Sequence, residues 1–267
     1  MSFEGKTIAV TGAASGIGAA SAAAIKTQGG KVVGLDLNEP AAGSVDQFIR
    51  YDQSDAASIN AAVAALPAGL DGLLNIAGVP PSAKFGPAKV LAINFVGLRQ
   101  FTEQAVSKLG DGAVIVNMSS GAGIGWPTNI ENIKQMFEVE GLDGVQAAVD
   151  ALGIQQDGFE NSSAYPFSKQ CLSVWSMLVC TKWKDRSIRV NAVAPAAVET
   201  PIIGDFMESF GADAVARMSH FGAATAENIA NVAVFLLTPE AVWINGAVVA
   251  TDNGATGTAT CKKNGLL

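Results

Sequence analysis

The chain predicts an α/β fold: a doubly wound sheet of about seven parallel strands with helices on both faces, in a single domain spanning residues 1–267. Three observations predict it. Short continuous apolar runs alternate with helical patterns along the whole length, as buried parallel strands and their crossover helices require. Hydrophobic residues make up 49% of the 267 and charged residues 15%, enough apolar surface to cover a sheet on both faces. The first apolar run breaks into a glycine-rich turn, Thr11-Gly12-Ala13-Ala14-Ser15-Gly16-Ile17-Gly18, that opens a helix.

Taken in order, strands are expected at Thr7–Val10, Val32–Asp36, Gln47–Tyr51, Gly72–Ile76, Ala113–Met118, Arg189–Val193 and Ala247–Thr251, and helices around 16–28, 56–65, 86–109, 164–183, 204–218 and 226–237. No repeat, low-complexity block or linker interrupts this order. One segment breaks the rhythm. Residues 126–162 form an insertion in which Ile130, Ile133, Met136 and Phe137 recur at helical spacing, as do Val145, Ala148, Val149 and Leu152. Two short amphipathic helices are expected there, serving as a cover over the active site or as a subunit contact, or simply burying a small core of their own. Residues 255–267 are a small, polar C-terminal tail, a place for mobility or a partner contact.

The strand–glycine turn–helix order is a binding site for phosphate. Glycines let the backbone approach the anion, and the helix start supplies unpaired N–H groups and the positive end of a dipole. Asp36 ends the second strand, where a carboxylate can accept from both hydroxyls of an adenine ribose and would repel a 2′-phosphate. No Arg or Lys stands beside it: Ser15 is in the loop, and Leu37 and Asn38 follow the acid. NAD(H) is therefore expected over NADP(H). Asp52, after the third strand, reads equally as a turn cap and as a partner for the adenine amino group.

Composition excludes several other classes. A net charge of −7 without a basic run argues against nucleic acid and anionic membrane. Uncharged stretches such as Gly112 to Ile130 carry Asn, Ser, Gly and Pro and cannot span a bilayer. A strand begins within a few residues of Met1, leaving no room for a signal peptide. Cys171, Cys180 and Cys261 follow no paired spacing, which fits a cytoplasmic, reducing compartment. His220 is the single histidine, so a histidine-based metal site or Ser-His-Asp hydrolase is not expected, and His220 reads as structural or superficial. No metal is expected.

Tyr165-Pro166-Phe167-Ser168-Lys169 carries the chemistry. A phenol and an ammonium four residues apart share one helix face. A nearby positive charge favours the phenolate, so the Tyr165 pKa is expected to fall from about 10 toward working pH, making it a general acid/base for an alcohol or a carbonyl.

Together these motifs resemble the short-chain dehydrogenase/reductase family, from Thr7 to about Gly254. Its G-x-x-x-G-x-G pattern is Gly12, Gly16 and Gly18, and its N-x-A-G motif is Asn75-Ile76-Ala77-Gly78. Asn94, in Ala92-Ile93-Asn94-Phe95, is similar to the asparagine that bends a helix and holds a relay water. Ser120 ends a strand as the family's serine does, and Tyr165 and Lys169 match the remaining pair. Asn191 to Pro195 and Thr200-Pro201 resemble the segment lining the nicotinamide. The resemblance implies a Rossmann-type fold and a catalytic set of Asn94, Ser120, Tyr165 and Lys169. It implies a cofactor set of Gly12, Ser15, Gly16, Ile17, Gly18, Asp36, Leu37, Asp52, Gln53, Asn75, Ala77, Gly78, Tyr165, Lys169, Pro195, Val198 and Thr200. It also implies a homodimer or homotetramer packed through helices near 90–109 and 164–183, a contact the insertion could block or reshape.

Two departures stand out. Ala196 follows Pro195 where the family usually has Gly, which narrows the pocket. The insertion before Tyr165 resembles the bacterial subset that includes 3α-hydroxysteroid dehydrogenase/carbonyl reductase and coniferyl alcohol dehydrogenase. That points to a bulky apolar or aromatic secondary alcohol or ketone. Because the substrate segments hold no Arg apart from Arg217, a doubly anionic substrate is not expected. Ser120, Trp126, Ala196, Ile202, Phe206 and Met207 are the expected substrate contacts, with Pro81 nearby, and residues 200–222 the expected lid over them. Two other functions compete: a non-catalytic dinucleotide sensor, and a nucleotide-sugar epimerase or dehydratase, for which the chain lacks a substrate domain.

Overall fold

The computed structural model describes residues 2–81, 84–155, 163–206, 208–209, 216 and 220–267. Seven parallel strands form one sheet: β1 (Thr7–Thr11), β2 (Lys31–Asp36), β3 (Gln47–Arg50), β4 (Leu70–Asn75), β5 (Leu109–Met118), β6 (Arg189–Pro195) and, last in the chain, β9 (Val248–Thr251). Their order across the sheet is β3-β2-β1-β4-β5-β6-β9. The order reverses between β1 and β4, which opens a crevice outside the strand C-termini where such sheets bind ligands. Two two-residue strands, β7 (Val198–Glu199) and β8 (Ala224–Thr225), form a separate parallel ribbon beside it.

Helices cover both faces. On one face α1 (Gly16–Thr27) and α8 (Ala226–Leu237) pack over Ile8, Val10, Val32, Leu74, Val114 and Val116. On the other lie α2 (Ala56–Ala65), α3 (Pro87–Leu91), α4 (Leu98–Ala105) and α7 (Ala164–Val179), over Ala9, Val33, Leu73, Ile115 and Val190. Alternate strand residues thus feed two separate cores, and that is why these strands read as unbroken apolar runs.

The insertion forms the two expected helices, α5 (Ile130–Phe137) and α6 (Val145–Leu152). Ile133, Met136, Val145 and Val149 are buried and join the same core as Phe95 and Phe167. Arg99 of α4 ties the insertion down: its guanidinium donates to the Phe137 carbonyl at 3.0 Å and to the Val139 carbonyl, and lies over the Phe95 ring. With this cover, α7 is buried around most of its circumference, from Ala164 through Ser173. Neither α5 nor α6 lines either of the two cavities at the site; α5 packs on α7 and α6 on α3, while Pro127 and Thr128 of the insertion line the larger cavity. Residues 156–162 of the insertion lie outside the described residues.

The C-terminal segment is a helix, α9 (Ala255–Lys263), not an unstructured tail. Gly254 enters it at φ +90°, and Asp252 accepts from the Thr256 N–H at 2.8 Å and the Gly254 N–H at 3.1 Å. A carboxylate satisfying orphan N–H groups at a helix start is what small polar residues alone do not reveal. No helix among the described residues is long and apolar enough to cross a membrane.

Candidate active site

The glycine loop lies between β1 and α1. Gly12 and Gly16 sit at φ +71° and +50°, in the left-handed region that a side chain disfavours. Gly18 needs its missing side chain for another reason: a Cβ there would stand 2.0 Å from the Gly12 carbonyl oxygen. The first turn of α1 holds no acidic residue, and Ser15 makes no capping bond, so the helix start presents free N–H groups. The loop borders a cavity of about 260 Å³ lined also by Asp36, Leu37, Asp52, Gln53, Ala77 and Gly78. Asp36 accepts from the Ala14 N–H at 3.0 Å and the Asn38 N–H at 2.9 Å, so the carboxylate is aimed across the loop. Asp52 accepts from the Ser54 N–H at 2.8 Å, a turn cap, and also lines the cavity. These residues fit an adenine dinucleotide: a cradle a Cβ would fill, an unpaired helix start and a carboxylate beyond it.

A second cavity of about 950 Å³ adjoins the first, sharing Ile17, Gly78, Val79, Thr200 and Ile202. Ser120, Tyr165 and Lys169 line it, with Pro195, Ala196 and Val198. Ser120 caps tight 3₁₀ turns over Gly121–Thr128, its Oγ accepting from the Ala122 N–H at 3.2 Å, and its hydroxyl bonds the Tyr165 phenol. Tyr165 occupies the first turn of α7, where the missing N–H of Pro166 costs nothing. Lys169 follows one turn later, its Nζ 5.7 Å from the centre of the Tyr165 ring and 2.8 Å from the Met118 carbonyl. Phe206 meets the Tyr165 ring edge to face at 5.0 Å.

Asn94 lies inside a π-helical turn, Ala92–Gly97, that joins α3 to α4. Such a turn widens the helix and is common at functional sites. The Asn94 side chain clamps the Val79 backbone, accepting from its N–H at 2.8 Å and donating to its carbonyl at 3.0 Å. It also reaches the Ser168 hydroxyl at 3.4 Å. Gly78 fits between: a Cβ there would be 3.0 Å from Asn94 Oδ1 and 3.6 Å from Lys169 Nζ. Ser120, Tyr165 and Lys169 therefore line the large cavity, and Asn94 lies buried behind Gly78 and Val79 of its wall.

Electrostatics differ from the expected pattern in one respect. Burial pushes the Tyr165 phenol up to about 12, offset in part by its bond to Ser120, and drives the Lys169 ammonium down to about 8. Attraction between a phenolate and an ammonium would pull the two values the other way, but loss of water outweighs it at both groups. The two pKa values are thus drawn away from the ordinary 10.0 and 10.5 in opposite directions by the same desolvation.

Several expected contacts sit elsewhere. Trp126 lines neither cavity; the 3₁₀ turns carry Gly121, Ala122 and Ile124 to the cavity and turn the indole onto the main core. Pro81 is buried and lines neither cavity. Asn75 is fully buried, donating to Thr102 Oγ1 at 2.9 Å and Asn117 Oδ1 at 2.8 Å, so it fastens β4 to β5 and α4 and does not face a ligand. Gln53 lines the cavity but spends its amide on the Ile93 carbonyl at 2.6 Å and the Ala77 carbonyl at 3.3 Å. Ala196, Ile202 and Phe206 line the large cavity, whereas Met207 and most of the expected lid helix lie outside the described residues. His220 is exposed and lines the same cavity. Ile203 and Phe221, from the expected lid segment, line the large cavity, and sequence reasoning missed the α9 residues Ala255 and Ala259 that line it too. No cluster of metal-ligating side chains occurs among the described residues.

Comparison with known proteins agrees with this geometry. The family model described as short chain dehydrogenase matches residues 6–130, and the one described as enoyl-(acyl carrier protein) reductase matches residues 145–256. Coniferyl-alcohol dehydrogenase of Pseudomonas sp. (strain HR199 / DSM 7063) is 35% identical over 261 residues, covering 97% of this chain and 99% of that protein. The chain belongs to the short-chain dehydrogenase/reductase family. It is an enzyme of the alcohol–carbonyl oxidoreductase kind. The 3-alpha-hydroxysteroid dehydrogenase/carbonyl reductase of Comamonas testosteroni is 27% identical over 258 residues, covering 92% of this chain and 95% of that protein. The solved 3-alpha-hydroxysteroid dehydrogenase from Pseudomonas sp. B-0831, complexed with NADH, superposes with a TM-score of 0.78 at 26% identity, covering 96% of this chain and 99% of that one.

Proposed function

We propose that the protein uses NAD(H) to interconvert a secondary alcohol and its ketone, the substrate being bulky and apolar or aromatic. The observation that carries this reading is the cavity of about 950 Å³ with Ser120, Tyr165 and Lys169 at one end and Ile202, Ile203, Phe206 and Phe221 around it. Part of that volume, against Ile17, Pro195, Val198 and Thr200, belongs to the proposed nicotinamide site, and the remainder suits a ring-bearing organic molecule. NAD(H) is favoured by Asp36, whose charge would oppose a 2′-phosphate. The NADH in the solved 3-alpha-hydroxysteroid dehydrogenase supports the same choice.

In this reading the Ser120 hydroxyl holds the substrate oxygen where charge develops. Tyr165 passes the proton between that oxygen and the solvent path. Lys169 has three donors and spends one on Met118, leaving two for ribose hydroxyls and for steadying the phenolate. Asn94 fixes the Val79 turn and the relay beside it. A bound nicotinamide supplies the hydride acceptor or donor and, when oxidised, a positive charge that favours Tyr165 ionisation. Phe206, packed on the Tyr165 ring, and Ala196 narrow the reacting end. Cys171, Cys180 and Cys261 are free thiols, which supports a cytoplasmic enzyme. A homodimer or homotetramer is the proposed assembly, testable by light scattering.

The decisive experiment follows NADH formation with a panel of primary and secondary aryl and alicyclic alcohols, with NADP⁺ in parallel. Turnover of bulky secondary alcohols with NAD⁺ is expected. NAD(H) binding without turnover of any alcohol or ketone would instead favour a dinucleotide sensor.

A further inference from the structure

The protein carries a net charge of −7, yet the wall of its large cavity carries three lysines and one carboxylate. Lys169 belongs to the reacting end. Lys262 and Lys263 belong to α9, far along the chain from it. The carboxylate, Asp252, is taken up by the Gly254 and Thr256 N–H groups at the start of that helix.

Helix α9 lies along the cavity. Ala255, Ala259 and Lys262, at i, i+4 and i+7, line it along one stripe, and Thr256, Thr258, Thr260 and Lys263 line it on either side of that stripe. The stripe is graded. Its small apolar end begins beside the catalytic end, because Thr251 pairs with Pro195 at the edge of the sheet just before the helix. Its cationic end lies about 10 Å further along the axis, at a rise of about 1.5 Å per residue. Neither Lys262 nor Lys263 forms an ion pair among the described residues.

We infer that Lys262 and Lys263 form a specificity site for an anionic group, a carboxylate, at the end of the substrate remote from the reacting carbon. This rests on the alcohol–ketone reading above and narrows its substrate class to an amphipathic molecule: a carbinol, an apolar body, and an acid about 10 Å or more away. A single remote acid is compatible with the apolar middle of the cavity, whereas a charge near Tyr165 would meet Phe206 and Ile202.

The test compares 1-phenylethanols carrying a para-linked alkyl carboxylate of increasing length with their methyl esters. For the linker that spans the cavity, kcat/KM should favour the acid by about fivefold, through KM, and the preference should shrink as salt is raised, as expected of partly exposed charges. In Lys262→Gln/Lys263→Gln the acid-to-ester ratio should fall to about one, and in Lys262→Arg/Lys263→Arg it should persist. Equilibrium binding of the matching keto acids and keto esters, read by NADH fluorescence, gives the same ratio without requiring turnover. Failure of both acid and ester to turn over would count against the alcohol reading, while the binding ratio would still judge the lysines. An acid preference absent at every length, or one that survives the glutamine variant, overturns the inference. So does a loss confined to NADH affinity, because the charge would then serve the dinucleotide.

Discussion

Lys169 donates its ammonium to the carbonyl oxygen of Met118 at 2.8 Å, joining α7 to the end of β5 two residues before Ser120. The bond holds α7 against the end of β5, and burial drives this ammonium's pKa down to about 8. An unfolded lysine keeps its proton to about 10.5. Between these values the unfolded chain binds more protons than the folded one, so this residue makes stability rise with pH from about 8 to 10.5. Tyr165 acts oppositely from about 10 upward, where the folded phenol retains its proton to about 12. Below pH 10 the lysine governs. Urea unfolding at about pH 7 and about pH 9.5 should show the wild type gaining roughly 1–2 kcal/mol relative to Lys169→Met. Parallel pH dependences of the two proteins would show that Lys169 titrates as it does in water.

Tyr165→Phe removes the phenolic oxygen and leaves the ring that packs on Phe206. Turnover of any alcohol should fall by about 10²–10⁴-fold, the usual worth of a positioned acid/base. Dinucleotide affinity should hardly change, since Lys169 and the glycine loop are untouched. A Phe variant of comparable activity would remove Tyr165 from the chemistry.

Gly18→Ala places a methyl group 2.0 Å from the Gly12 carbonyl oxygen, and both atoms belong to rigid backbone. Relief requires α1 to move away from the β1 turn. Overpacking of this kind costs about 1–3 kcal/mol of stability. Because the same loop is the proposed dinucleotide cradle, NADH affinity should drop by about tenfold or more. Fluorescence titration with NADH, alongside thermal unfolding, separates the two effects. A variant that binds NADH normally would show that the loop does not hold the pyrophosphate.

Arg99 anchors the insertion through the Phe137 and Val139 carbonyls. Arg99→Ala leaves both acceptors without this donor and opens space beside Phe95, a loss of roughly 1–3 kcal/mol. Limited proteolysis should then cut first between α5 and α6. Lys, with a compact ammonium in place of the planar fork, should recover only part of the loss. An unchanged proteolytic pattern would mean the insertion is held by its apolar face alone.

The sheet, the glycine turn and the helical pairing of Tyr165 with Lys169 were legible because each depends on local pattern. Apolar runs mark strands buried on both faces, and Tyr165 with Lys169 needs only helical spacing. What escaped the sequence depends on packing across the chain. The π turn around Asn94 arises where Gly97 closes on the Gln53 carbonyl, a contact between segments far apart in sequence. The rise in the Tyr165 pKa comes from burial under Phe206 and the surrounding core, while the spacing showed only the lysine. Trp126 follows Ser120 closely in sequence yet packs on the core, because tight turns of about three residues sweep successive side chains to different sides. Helix α9 lacks any marked amphipathic pattern and is started by the Asp252 carboxylate and the left-handed Gly254. That Asp-x-Gly-x-Thr order was the one signal for it in the sequence.

Asp36 decides between the two nicotinamide dinucleotides in the proposed function. Its two oxygens already accept from Ala14 and Asn38, which fixes the carboxylate at the mouth of the smaller cavity with lone pairs still available. Asp36→Asn keeps one acceptor oxygen and removes the charge. Two effects then add. The ribose diol loses charge-assisted bonds worth about 1.5–3 kcal/mol each, so kcat/KM with NAD⁺ should fall by roughly tenfold or more. The repulsion of a 2′-phosphate also disappears, so kcat/KM with NADP⁺ should rise, and the NAD⁺-to-NADP⁺ ratio should fall further than either change alone. The measurement is that ratio with one bulky secondary alcohol, taken with thermal unfolding to check that the Ala14 and Asn38 contacts survive. A folded variant with an unaltered ratio would place cofactor choice on another part of the cavity, with Leu37 and Asn38 the nearest alternatives.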